Sequence, residues 1–399
     1  LREGPAGRIM ALDLGKVTNQ IEDMGRVLAE RAGRQRKTLP AARELLHRFA
    51  NRQEELRRIA GSDPGEKQLG CAVPGDEVLD AQFPAPPLPE QVTIVASDGS
   101  QILPDQHGMA FYYAVNTGTV VFRHGSGQAP EVASEPALYY TEDQVYPNGS
   151  PVNADRISAQ RDLAEMQALA DLALGEPSSG PPRVALADGS LLIWLRRKEI
   201  PDDQQRQILE SYLGCLDRLR GEDLPVAAFV SRPRSAEVVA LLYLAHLEPE
   251  ERGDVTKLSD TGFRGLSDRA LFGFLQPGER SAFFVRSMAS NREFRDRGHA
   301  VTFFYLNTGT DLARVEVPEW VALQPARLDL VHAAVYEQCI HNNGYPYVLT
   351  RADELAVILG DEREALETLI ARALMRHGMP WPELSRKAHQ KQVARWRRR

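Results

Sequence analysis

The sequence predicts a mixed α/β fold built on one central sheet, and three observations lead there. An apolar run ending in Asp-Gly-Ser occurs twice, as Thr93-Ile94-Val95-Ala96-Ser97-Asp98-Gly99-Ser100 and as Val184-Ala185-Leu186-Ala187-Asp188-Gly189-Ser190. A meander of strand-like segments precedes the first long helix of the main domain. After that helix, strands and helices alternate. Each Asp-Gly-Ser copy reads as a buried strand that delivers a carboxylate at its end, with the glycine letting the backbone turn sharply and a ligand approach closely. Either copy alone has a plainer reading, because Asp-Gly between apolar runs is a strong turn signal. The recurrence favours a shared task.

Composition sets the limits. At 399 residues and 43% hydrophobic content, the chain can form two compact domains or one large α/β domain with additions. No apolar run approaches the ~18–20 residues needed to span a bilayer, and the start lacks the order of a signal peptide, so a cytoplasmic protein away from membranes is expected. Cys71, Cys215 and Cys339 lack CxxC or Cys/His ligand spacing, which argues against a disulfide framework or a structural zinc site. The formal net charge of −7 argues against binding nucleic acid through overall charge. That charge is uneven, because 386–399 carries seven Lys/Arg and no acid. Such a tail, with Trp396 in it, can hold phosphates and stack a base, or it is a solvated end.

Taken in order, 1–9 suggest no element. Helical spacing over 12–58 gives an arm of two helices outside the core, the first with Ile21, Met24, Val27 and Leu28 on one face, the second starting near Pro40. A Gly-, Pro- and acid-rich stretch over 61–89 reads as a linker or strap. The expected organisation is therefore an arm and linker over 1–90, a main domain over 91–380 and a basic tail over 381–399. In the main domain a strand at 91–97 leads to Asp98. A second at 109–116 turns at Asn116-Thr117-Gly118 into a third, Thr119-Val120-Val121-Phe122. A helix over 155–174, the second Asp-Gly-Ser strand, a helix near 202–219, a strand at Val226-Ala227-Ala228-Phe229-Val230 and a helix near 235–246 follow. The order βββαβαβα is that of the ribonuclease H-like fold, with further helices toward the C-terminus.

In that architecture the ends of the first and fourth strands lie side by side, and these carry Asp98 and Asp188. The helix between the third and fourth strands supplies another acid over the same edge, Glu165, with Asp162 about one turn earlier able to share its face. The plain alternative for Glu165 is a solvated acid on a surface helix. Three or four hard oxygen ligands suit Mg²⁺ or Mn²⁺ better than zinc. Two such ions about 3.5–4 Å apart can activate water and stabilise the leaving oxygen in attack on a phosphodiester.

With these residues in place the chain resembles the NurA nucleases. They pair a Val-Asp-Gly-Ser-like first motif with a later Asp-Gly-Ser-Leu, here Asp188-Gly189-Ser190-Leu191, and have an Arg-x-x-x-Glu helix between them, here Arg161 to Glu165. The resemblance runs from about residue 12 to about 380. It implies a Mn²⁺-dependent 5′ to 3′ DNA exonuclease with single-strand endonuclease activity, Mg²⁺ being the other candidate ion. It also implies a homodimer working with a hexameric HerA-type translocase in DNA end resection and recombinational repair. Asp98 and Asp188 would be the central metal ligands and Glu165 a third. The final family segment, Gly344-Tyr345-Pro346-Tyr347-Val348-Leu349-Thr350-Arg351-Ala352-Asp353-Glu354, places Asp353 where many relatives have histidine. That makes Asp353 the fourth ligand, with Glu354 as fallback. Thr350 to Asp353 also has nearly the spacing of a capping box.

Arg232 and Arg234, directly after the fifth strand, and Arg161 are candidates for gripping the DNA backbone, with surface ion pairing as the alternative. Tyr345 and Tyr347 can stack on bases or simply pack, and His332 and His341 read as structural. Asp260 and Asp268 have no assigned place. Two other functions compete: a catalytically silent DNA-binding or HerA-docking scaffold, and an actin-like phosphotransferase, which would need a second copy of the domain.

Overall fold

In the computed structural model the chain is described over residues 14–61, 69–106, 108, 110–193, 195, 200–286 and 290–379. The basic tail 386–399 and the segment 1–9 lie outside these residues. The described strands are β1 (Val73–Pro74), β2 (Val92–Ile102), β3 (Tyr113–His124), β4 (Glu131–Tyr139), β5 (Arg183–Asp188), β6 (Val226–Val230), β7 (Phe284–Val285), β8 (Val301–Asn307) and β9 (Leu312–Pro318). The described α-helices are α1 (Thr18–Arg48), α2 (Gln53–Gly61), α3 (Glu142–Val145), α4 (Ala154–Gly175), α5 (Asp202–Gly221), α6 (Glu237–His246), α7 (Asp268–Leu271), α8 (Ser290–Asp296), α9 (Glu319–Ala322), α10 (Pro325–Ile340), α11 (Tyr347–Ala356) and α12 (Gly360–Arg376).

All nine strands join one sheet in the order β1-β7-β8-β9-β6-β5-β2-β3-β4. Within it, β2 pairs in parallel with β5 and β5 with β6, while β3 runs antiparallel between β2 and β4. This five-strand unit, ordered β4-β3-β2-β5-β6, is ribonuclease H-like. Its parallel strands are buried on both faces, which is why they read as unbroken apolar runs. The segment beyond residue 250 extends the same sheet through β7, β8 and β9, all antiparallel.

Two large buried clusters pack against the sheet, beside a small one of Tyr113, Val115, Val145, Val152 and Ile157. One packs the central strands with α4, α5, α10 and α11. The other packs the outer strands with α2, α6 and the end of α1. Among the described residues no helix is long and apolar enough to cross a membrane.

Several local expectations are corrected. Asn116-Thr117-Gly118 is not a turn, because β3 runs unbroken through it. Asn116 spends its side chain on the carbonyls of Leu355 and Ala356, at 3.1 and 2.9 Å. The third strand is β4, whose side chains are largely exposed. Its Pro136 is tolerated because β4 is an edge strand, where a missing N–H breaks no ladder.

Pro40 does not open a second helix; it lies inside the single helix α1. The arm is also not wholly outside the core, since Ala42, Leu45, Leu46, Phe49 and Leu56 are buried. The expected apolar face, Ile21, Met24, Val27 and Leu28, is about half exposed. Part of the strap is ordered by Glu77, which accepts two hydrogen bonds from the buried Arg280, at 2.9 and 2.8 Å.

Candidate active site

The first Asp-Gly-Ser does not end its strand. β2 continues to Ile102 beside β3, and only its parallel neighbour β5 stops, at Asp188. Asp98 therefore sits where the parallel pairing runs out. Ser97 is opposite Ala187, so the next pair along is Asp98 and Asp188 on one face of the sheet. In the second copy the chain does turn, and Gly189 takes φ +79°, a conformation that favours glycine.

Gly99 serves a different purpose. A Cβ there would lie 2.4 Å from Glu165 Oε1 and 2.9 Å from Arg161 Cγ, so glycine is what lets α4 lie this close to β2. Ser97 fastens the two by donating to the Glu165 carbonyl at 2.8 Å.

On the opposite face lies α11. Gly118 is paired with Asp98 across β2 and β3. A Cβ on it would meet the Ala352 carbonyl oxygen at 2.3 Å and the Ala356 nitrogen at 2.6 Å. Ser100 donates to the Ala356 carbonyl, and Asn116 holds the same end of the helix. This docking brings Asp353 beside Asp98, close enough for its charge to act on the Asp98 carboxyl. Asp353 is not a cap: α11 begins at Tyr347 behind Pro346, which puts Asp353 in its second turn. Glu354 is exposed, paired with Arg351, and does not line the acid cavity.

Asp98, Asp162, Glu165, Asp188, Asp353 and Arg161 all line one cavity of about 480 Å³. Burial pushes the Asp98 carboxyl up to about 6, and the neighbouring Asp188 and Asp353 add to the rise against the hydrogen bond from Gly99 N. Burial also raises Asp188, opposed by the hydrogen bond from Tyr345. It holds Glu165 well above the ordinary carboxylate range, although the Arg161 guanidinium, 3.0 Å away, opposes the shift. Carboxylates gathered with so little solvation, and with Arg161 the one cation lining the cavity among the described residues, favour a bound cation.

The donor chemistry therefore fits a hard divalent ion. The geometry is less converged, because among the described residues no three Asp, Glu, His or Cys side chains come together closely enough to hold a metal. Side-chain alternation accounts for the separation of Glu165 from the others: Asp98 faces α11, while Gly99, one residue on, faces Glu165 of α4.

Tyr345, expected to stack on a base or pack, and Glu316, not singled out in the sequence, both attach to Asp188 and its turn. Tyr345 donates to Asp188 Oδ1 at 2.8 Å, with its ring edge-on to Phe229. Glu316, 1% exposed on β9, accepts from Ser190 Oγ at 2.8 Å and Leu191 N at 2.9 Å, fastening the turn after Asp188. The Gly-Tyr-Pro segment was a signal for the first, whereas nothing local marks the second.

Arg232 and Arg234 follow β6 but do not line the acid cavity. They line a separate groove of about 930 Å³ with Arg31 of α1 and Arg269 of α7. Arg232, at φ +47°, and Arg269 both pair with Asp311. Of the remaining residues, His332 is buried with Nε2 on the Gly278 carbonyl at 2.8 Å, and burial lowers it to about 4. His341 pairs with Glu337, and Tyr347 packs edge-on against Phe122. Asp268 is fully buried, accepting from Val238 N, Val239 N and Tyr305 Oη at the start of α6.

A family model described as the NurA domain matches residues 92–358. Among solved structures, the chain is similar to the NurA nuclease from Sulfolobus solfataricus at 14% identity, covering 91% of this chain and 96% of that one, with a TM-score of 0.48. It is also similar to a NurA with manganese, at 12% identity over 88% and 98% of the two chains with a TM-score of 0.43. A NurA bound to dAMP and manganese gives 12%, 90%, 97% and 0.39. No curated protein matches the chain in sequence.

Proposed function

The chain belongs to the NurA family, and from that membership we propose that it is a divalent-metal-dependent deoxyribonuclease that hydrolyses phosphodiester bonds at the acid cavity. The observation that carries the reading is the single cavity lined by Asp98, Asp188, Asp353 and Glu165, three of whose carboxyls are raised by shared burial. Asp98, Asp188 and Asp353 would hold Mn²⁺ or Mg²⁺, and Glu165 would complete the ligand set or orient the attacking water. A bound ion would supply charge stabilisation for the phosphodiester and a more acidic water. Tyr345 keeps one Asp188 oxygen oriented by its hydrogen bond, and Arg161 offers a cation at the cavity wall for a substrate phosphate.

Substrate DNA would extend from the cavity to the groove of Arg31, Arg232, Arg234 and Arg269. These four cations face one acid, Asp311, in a chain of net charge −7. A basic lining in an acidic protein selects anions locally. The fuller reading is a 5′ to 3′ exonuclease with single-strand endonuclease activity, acting as a cytoplasmic homodimer with a HerA-type hexameric translocase in end resection.

A second reading, a catalytically silent DNA-binding or HerA-docking subunit, is favoured by the absence of three converged metal ligands among the described residues. Asp98→Ala separates the two. In the nuclease reading it abolishes Mn²⁺-dependent cleavage and leaves DNA binding intact. Wild type that binds DNA but cleaves none, with either ion and with a HerA-type partner and ATP, would select the silent subunit.

A further inference from the structure

We infer that Glu316 is a positioning residue for Asp188, acting through the turn that follows it. The inference rests on Asp188 serving the nuclease reaction proposed above. Glu316 sits mid-sheet on β9, opposite Ala228 of β6 and Phe303 of β8. Its two oxygens do different work. Oε1 faces cations, Arg314 Nε at 2.9 Å and Arg286 Nη1 at 3.3 Å. Oε2 faces the turn and accepts from both Ser190 Oγ and Leu191 N. Arg286 Nη1 also donates to Ser190 Oγ, at 3.1 Å.

The turn needs such an anchor. At Gly189 the backbone leaves the sheet with φ +79°, and its N–H donates to the Phe229 carbonyl at 3.0 Å. Asp188 is thereby held from three sides: by the ladder through Gly189, by Tyr345 on its carboxylate, and by Glu316 on the two residues beyond.

Stability alone gives little reason for this arrangement. Burying a carboxylate and two guanidiniums costs about as much as their attraction returns, and an apolar cluster of the same volume does at least as well. The network is also incompletely satisfied, since Arg314 Nη2 and Glu237 Oε2 find no hydrogen-bond partner among the described residues. What an apolar cluster cannot supply is a fixed acceptor for two adjacent donors of the turn. Groups that orient a ligand in this way typically change metal affinity or turnover by about 10–100-fold when removed.

The test uses the full chain with Ser190→Ala, Glu316→Gln, Glu316→Ala and, as control, Glu237→Gln. Glu237 touches the same arginines but not the turn. Two quantities are read: kcat and KM on a single-stranded oligonucleotide, and Mn²⁺ binding by electron paramagnetic resonance without DNA. The expected result for Ser190→Ala is a kcat lower by about tenfold or more, KM within about twofold, and weaker Mn²⁺ binding. Glu316→Gln, which keeps an acceptor oxygen, retains more of both than Glu316→Ala, and Glu237→Gln leaves both near wild type. Unchanged kcat and Mn²⁺ binding in folded Ser190→Ala overturns the inference, whether or not the Glu316 variants fold. Equal losses in the control overturn it as well, because the effect then belongs to the ion network. If wild type itself cleaves nothing, the nuclease reading fails, and the Mn²⁺ arm still decides whether Glu316 fixes Asp188.

Discussion

Replacing Gly118 by alanine asks whether the approach of α11 to the sheet builds the acid site. The added Cβ would lie 2.3 Å from the Ala352 carbonyl oxygen, 2.6 Å from the Ala356 nitrogen and 2.9 Å from Leu355 Cβ, where ordinary contact begins at 3.4 Å. Two of those neighbours are backbone of one helix turn, so no side chain can swing aside. The helix must retreat by about 1 Å, taking Asp353 with it. Overpacking of this kind costs about 1–3 kcal/mol of stability, and a displacement of about 1 Å at reacting groups costs on the order of 100-fold in rate. Gly118→Ala should therefore unfold earlier in urea while still folding, and its kcat should fall far more than its DNA affinity. Gly214→Ala is the matched control: it sits inside α5 with nothing within 4 Å, so alanine should add about 1 kcal/mol of helix stability and leave cleavage alone. Wild-type kcat in Gly118→Ala would refute the claim that this close docking positions Asp353.

Three further outcomes are expected. In EDTA, Asp98→Asn should be more stable than wild type above pH 7. The folded-state carboxyl, raised to about 6 from 3.8, binds its proton more tightly than the unfolded one, so wild type loses stability as pH rises through that range and the amide does not; equal urea midpoints would contradict it. Asp268 is buried completely and also raised to about 6. By the same sign, denaturation at pH 4 and pH 7 should show wild type losing about 2 kcal/mol relative to Asp268→Asn, and parallel curves would remove the effect. In metal-free binding to single-stranded DNA, Arg31→Gln combined with Arg234→Gln should reduce the slope of log affinity against log salt by about 0.7 per lost phosphate contact; an unchanged slope would take the groove out of the DNA path.

How much of this was legible depended on whether local sequence carried the cause. β2, β5 and β6 were visible because strands buried on both faces must be apolar throughout. The Asp98 and Asp188 juxtaposition followed from the fold order. The true third strand was hidden because β4 is exposed and carries a proline, so it lacks the pattern that marks a strand. Asn116-Thr117-Gly118 imitates a turn because α11, over 230 residues away in the chain, needs both an amide to cap it and a residue without Cβ to lie on.

The β8–β9 hairpin carries a local signal. Val301-Thr302-Phe303-Phe304-Tyr305-Leu306 is a β-branched and aromatic run, followed by Gly309 at φ +91°. Glu316 was not readable. In Leu312-Ala313-Arg314-Val315-Glu316-Val317 it has the alternation of a strand with one wet face. Its burial depends on Arg286 and Ser190, which only the tertiary fold brings to it.

The central claim is that Asp98, Asp188 and Asp353 form a carboxylate centre that uses a divalent ion to cut DNA. Its most direct test is digestion of 5′-labelled and 3′-labelled single- and double-stranded DNA by wild type and Asp188→Asn, each with Mn²⁺, Mg²⁺ or EDTA, alone and with a HerA-type partner and ATP. Cleavage by wild type should require metal, be lost in EDTA and be absent from Asp188→Asn while DNA binding persists. Cleavage that survives Asp188→Asn at the wild-type rate would contradict it.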